Sequence, residues 1–132
     1  MSAFERLRSL FGRRPELPFD LDNPALRVVA AAFDLAEADS AVLARSPRLK
    51  VDEKAVLRHH LVLPAAAVER ARELLAQDGW ELRVVGSGDP VPLHARRAQL
   101  ITALSCAQER SRMAGLAQRL GGDASGWDCL QT

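Results

Sequence analysis

From Val56 the chain alternates. Leu57, His59, Leu61 and Leu63 fall on one side of an extended run, with Arg58, His60 and Val62 on the other; this period of two belongs to a strand covered on one face. Pro64 then stands where a helix can begin without losing a hydrogen bond. Val68, Ala71, Leu74 and Leu75 space an apolar stripe over the next turns, Glu69, Arg70, Arg72, Glu73 and Gln77 take the solvent side, and Gly79 suits the C′ position that closes the helix. Alternation returns with Trp80, Leu82 and Val84 inward and Glu81, Arg83 and Val85 outward. Gly86-Ser87-Gly88-Asp89-Pro90 is a turn, and Leu93 and Ala95 alternate with His94 and Arg96 in a third strand. Ser105, with Gln108 three positions on, predicts the N-cap of a last helix. Its apolar face is Cys106, Met113, Ala117 and Leu120, and Gly121-Gly122 ends it. Trp127 to Leu130 is long enough for a fourth short strand.

The order is strand, helix, strand, strand, helix, strand. With right-handed crossovers this predicts an α+β fold, a ferredoxin-like βαββαβ sandwich with a four-stranded antiparallel sheet and two helices on one face. Its core spans residues 55–131. Upstream, Asn23 as N-cap, Pro24 at the first helical position and a stripe of Leu26, Val29, Ala30 and Phe33 predict an extra N-terminal helical segment. A break or second short helix follows near Asp39-Ser40, and residues 46–54 read as a polar connector. Residues 21–132 thus form one expected domain. Residues 1–20 read as an appendage, where Phe4, Leu7 and Phe11 lie at helical spacing among Arg6, Arg8, Arg13 and Arg14 until Pro15 and Pro18 interrupt. Such a strip suits a loosely ordered terminus or one packed on its own domain, with docking on a partner or an anionic membrane as the alternative.

Composition narrows the class. A chain of 132 residues fits one domain and buries roughly two-thirds of its unfolded surface, and 48% hydrophobic residues suffice for a core without staples. A formal net charge of +1 argues against a surface wholly given to nucleic acid. Cys106 and Cys129 have no CxxC spacing, so neither a disulfide framework nor a zinc site is expected. No apolar run reaches the roughly 18 residues of a membrane span, and the N-terminus lacks a signal-peptide core. The expectation is a cytoplasmic protein.

Candidate chemistry is sparse. His59 and His60 are adjacent, so on a strand they face opposite ways and cannot share a metal. There is no GxSxG, neither cysteine has an evident activating base, and Gly86-Ser87-Gly88-Asp89 joins two strands rather than opening a phosphate-binding helix. No enzyme, metal or cofactor is expected. The sheet face away from the helices gathers Arg58, His60, Arg83, His94 and Arg96. That set is either a solvated basic face or a site for an acidic protein segment or nucleic-acid backbone. No aromatic falls on the face in this reading, so base stacking on RNA is not favoured.

Leu116-Ala117, Gly121-Gly122 and Gly126-Trp127-Asp128 resemble the ending of the regulator of ribonuclease E activity B family. That family ends a helix in Leu-Ala, then Gly-Gly, then an acidic residue and Tyr-Asp-Gly-Trp; Ala124-Ser125 stand here in place of Tyr-Asp. His59-His60-Leu61-Val62-Leu63 is similar to the family's first strand, Asp78-Gly79-Trp80-Glu81 to its helix exit, and Arg96-Arg97 sits where its third strand is expected. The resemblance covers roughly residues 56–130 and agrees with the ferredoxin-like pattern. It implies a non-catalytic protein that binds ribonuclease E and alters RNA turnover. The alternatives are a small ligand- or nucleic-acid-binding module of the same shape, or a structural or oligomerisation domain.

Overall fold

A computed structural model describes residues 19–132. The strip of Phe4, Leu7 and Phe11 lies outside the described residues. In chain order come β1 (Arg27–Ala32), α1 (Asp39–Ala44), β2 (Ala55–Leu63), a 3-10 turn (Ala65–Ala67) leading into α2 (Val68–Ala76), β3 (Glu81–Val84), β4 (Val91–Gln99), α3 (Ala103–Arg119) and β5 (Asp123–Gln131). The fold is α+β: the described residues form three helices and one five-stranded sheet, ordered β1-β5-β2-β4-β3, with every neighbour antiparallel.

The sheet's alternation decides where the core sits. Leu57, His59, Leu61 and Leu63 of β2 all point to the helical side and are buried. They pack with Leu75 and Ala71 of α2, with Cys106, Met113 and Ala117 of α3, and with Trp127 and Cys129 of β5. Each of these large apolar side chains contributes about 1.5–3 kcal/mol by leaving water. At the end of helix α2, Gly79 N–H bonds the Ala76 carbonyl (3.1 Å), and Asp78 N–H (3.1 Å) and Trp80 N–H (3.0 Å) share the Leu75 carbonyl. Trp80 then turns inward under the Arg97 guanidinium, 4.1 Å from its ring centroid.

Four expectations are corrected. The sheet has five strands, because residues 27–32 form β1 rather than a helix. Asn23 does cap, but what it caps is a turn: its Oδ1 accepts from Ala25 N–H at 2.9 Å. The buried positions there are Leu26, Ala30 and Ala32, nearer a period of two than a helical stripe, and β5 needs a partner along its outer edge. The N-cap of α3 is Thr102, whose hydroxyl accepts from Ser105 N–H (3.0 Å) while the Ser105 hydroxyl accepts from Thr102 N–H (3.3 Å). Ser105 is thus the inner half of the capping box, one turn on. Val84, expected inward, is exposed at the end of the four-residue strand β3. The last strand is longer than Trp127 to Leu130, running from Asp123 to Gln131.

The short helix near Asp39 forms as expected and is tied down from the core. Asp39 accepts from Trp127 Nε1 at 3.0 Å and from Arg110 at 2.9 Å. A buried indole N–H and a buried carboxylate thereby satisfy each other. Among the described residues no helix is long and apolar enough to cross a membrane.

Candidate protein-binding face

Strand register explains why the five basic residues meet. The face opposite the helices is built in cross-strand rows. One row runs Ala31, Asp128, Arg58, Arg96, Glu81 from β1 to β3. The next runs Phe33, Gly126, His60, His94, Arg83, with Phe33 following the Ala32–Trp127 pair. Beyond it, Val62 lies opposite Pro92, and Val85 N–H bonds the Pro92 carbonyl at 3.0 Å. Arg58, His60, Arg83, His94 and Arg96 therefore all lie on this face, as their alternation predicts.

The charges do not stand alone, however. Two arginines directly opposite on neighbouring strands repel, and Arg58 and Arg96 resolve this by turning apart. Arg58 clamps Asp128 with two bonds, 2.8 and 2.5 Å, and His60 Nε2 lies 3.1 Å from the same carboxylate. Arg96 bonds Glu81 at 2.5 Å and Asp22 at 2.9 Å, and Arg83 also reaches Asp22, at 2.6 Å. All three arginines are thus paired with carboxylates, and a basic patch becomes a balanced polar network. Asp128 is buried, which pushes its carboxyl up, but Arg58 and His60 outweigh burial and hold it down at about 2. Burial, then the neighbouring His60 and Arg58, pushes His94 down to about 4.

Rings form the centre of the second row. The Phe33 and His60 centroids are 4.8 Å apart and nearly perpendicular, and His60 and His94 are 4.2 Å apart. Gly126 makes this arrangement possible. A Cβ there would strike the Ala32 carbonyl and come within 2.8 Å of Phe33 Cδ1, and the residue's φ of +146° disfavours side chains in any case. Phe33 is thus an aromatic on the face that the sequence reading left bare.

Half of the face is already covered. Val56 shares the side of Arg58 and His60, yet is only 1% exposed. The chain runs from Asp22, held by β3 and β4, to Arg27 on β1 at the other edge, and so crosses the sheet. Arg96 also donates to the Leu21 carbonyl of this strap, at 3.3 Å. The half around Phe33, His60, His94, Val62 and Val85 lies outside the strap.

Asp22, Glu81, Asp128 and Phe33 are the members sequence reasoning missed. Glu81 and Asp128 carried a signal, since both fall at outward positions of strands once the register is known. Asp22 carried none, being 61 and 74 residues from its partners.

The network offers no reactive constellation of its own. The Ser125 hydroxyl bonds the main-chain carbonyl of His60, at 3.4 Å. His59 points into the core, where burial pushes it down to about 3, and burial pushes both Cys106 and Cys129 up to about 12. Among the described residues no three His, Cys, Asp or Glu side chains are grouped to hold a metal ion. Compared with protein-family models, curated proteins and solved structures, the chain gives no significant match.

Proposed function

We propose that this chain is a non-catalytic regulatory protein that binds ribonuclease E and modulates RNA turnover in the cytoplasm. In this reading β2, α2, β3, β4, α3 and β5 form a ferredoxin-like unit, with β1 added outside β5. The order β5-β2-β4-β3 supports that unit.

One observation supports the reading: of the residues that resemble the ribonuclease regulators, His60, Gly126 and Asp128 meet on the open face. Gly121-Gly122 end α3, with Gly122 N–H bonding the Ala117 carbonyl at 2.8 Å, and release the chain into β5. There Trp127 enters the core, Gly126 admits Phe33, and Asp128 holds Arg58 and His60. A polar network in which each arginine bonds a carboxylate, edged by exposed apolar side chains, suits a protein surface. It suits a phosphate backbone less, because counterion release needs cations not already engaged. Phe33 beside His60 favours the nucleic-acid alternative by one ring; stacking platforms use several, lying flat.

The test is a nuclease-treated pull-down from the native host with the full chain as bait, read by mass spectrometry. Recovery of ribonuclease E is the expected result, and purified chain should then slow or redirect its RNA cleavage. A folded, abundant bait that recovers no ribonuclease counts against the proposal.

A further inference from the structure

We infer that Arg45 and Arg72 guard the two edges of the sheet, each occupying an outward carbonyl and so keeping a second copy of this chain from pairing its own edge strand there. The edges lie apart from the open face, so the device is independent of what that face binds.

The sheet's two edges are β1 and β3. Along an edge strand alternate residues turn both N–H and C=O outward, a template on which another strand can pair. The Ala32 carbonyl is turned toward β5, where a Cβ on Gly126 would strike it, so the Ala31 carbonyl points away. Arg45, at the end of α1, donates to that carbonyl from Nη2 at 2.9 Å. On β3, Val85 N–H bonds inward to the Pro92 carbonyl, and alternation back along the strand turns Val84 and Leu82 outward. Arg72, within α2, donates to the Leu82 carbonyl. Helix α1 lies against β1 and α2 against β3. The two edges, distant in sequence, thus carry the same arrangement: a guanidinium reaches from a covering helix onto an outward carbonyl.

The edges differ in how much they need it. Strand β3 has four residues, and a short edge resists pairing by itself. Strand β1 reads Arg-Val-Val-Ala-Ala-Ala, without proline, lysine or an acid. Its one charge is turned aside, since Arg27 donates to the Pro24 and Leu26 carbonyls at 2.8 and 2.9 Å. A bulge between Val28 and Ala30 distorts the first half of the strand. Arg45 stands over the second half and is held there, because Glu37 accepts from its Nε at 2.8 Å and its Nη2 at 2.7 Å. A strand pairing at Ala31 must displace this ion pair, and one new backbone hydrogen bond returns little against that. Arg72 is held more loosely, by Glu69 at 3.4 Å. Strand β1 is therefore the edge that opens most on losing its arginine.

The experiment is sedimentation velocity of the full chain over a wide range of concentration. The samples are wild type, Arg45→Ala, Arg72→Ala and a control, Arg70→Ala, which removes an equal charge from the exposed side of α2. Arg45→Ala should self-associate at a concentration at least about tenfold lower than wild type and control, with Arg72→Ala between them. Exchange of the Ala31 amide should slow in the associated species. Adding Val28→Lys on the β1 edge should return Arg45→Ala to the wild-type threshold, whereas adding Leu104→Lys, at an exposed position of α3, should not. An Arg45→Ala threshold equal to that of the control overturns the inference. So does association that both lysines reverse equally, or that leaves the Ala31 amide unprotected. If Arg45→Ala melts well below wild type, Glu37→Gln takes its place, loosening the grip while keeping the arginine. It must then lower the threshold too, and an unmoved threshold overturns the inference.

Discussion

Asp128 illustrates how much of the open face depends on single residues. It is buried, it carries its charge because Arg58 and His60 surround it, and it is the acceptor that lets Arg58 turn away from Arg96. Asp128→Asn keeps the shape and removes the charge, leaving a half-buried guanidinium poorly compensated. The expected cost is about 3 kcal/mol in equilibrium denaturation; a loss below about 0.5 kcal/mol would contradict the account of the network. The histidines make a second prediction. Burial is the largest cause depressing both His59, to about 3, and His94, to about 4. Their folded pKa values lie below the ordinary value, so the unfolded chain takes up protons first as pH falls. The stability they contribute is complete above about pH 6.5 and is lost as pH drops towards 4 and 3. Asp128, lowered to about 2, adds a loss between about pH 4 and pH 2. The denaturant midpoint should therefore be level above neutrality and fall steeply below about pH 6. His94→Gln should flatten part of that slope, and a midpoint unchanged between pH 7 and pH 4 would refute the assignment. At this scale the sequence was informative about direction and silent about partners. Alternation puts Arg58 and His60 on the open side, but only the long-range register brings Asp128 to them, and only the path of the strap brings Asp22 to Arg83 and Arg96.

Among the elements, β1 and β5 depend on one another. Strand β5 has its outer edge closed by β1, and the two approach closely at Gly126. Gly126→Ala would push a Cβ into the Ala32 carbonyl at a φ of +146°, so at least about 2 kcal/mol of stability should be lost. Amide exchange should speed up in residues 27–32 ahead of β2 and β4, and equal acceleration in all strands would contradict this weak seam. At the start of α3, Thr102→Ala should cost about 1 kcal/mol in the same denaturation assay, since Thr102 rather than Ser105 is the cap. The strands β2, β3 and β4 and both longer helices were legible because each carries a full period of its pattern. Strand β1 was not. Apolar residues at 26, 29, 30 and 33 fit a helix locally, and what overrules that fit is the unpaired edge of β5, a strand nearly a hundred residues later.

Across the whole molecule, one side of the sheet is sealed by helices and the other is divided between a strap and an exposed row of rings. The neighbourhood of β2 and β4 was readable from the sequence of elements; the outer strand β1 and the strap were not, because nothing local marks Asp22 as a residue that belongs on β3 and β4. The central claim is that this face binds ribonuclease E, and it is tested most directly by titrating purified ribonuclease E against the full chain in a calorimeter. Three samples decide it: wild type, the Arg83→Glu, Val85→Glu variant, and a control with Arg70→Glu on the exposed side of α2. The account predicts saturable binding by wild type and control alike, weakened at least tenfold, about 1.4 kcal/mol, in the face variant. Absence of binding by folded wild type, or equal binding by all three, would contradict it.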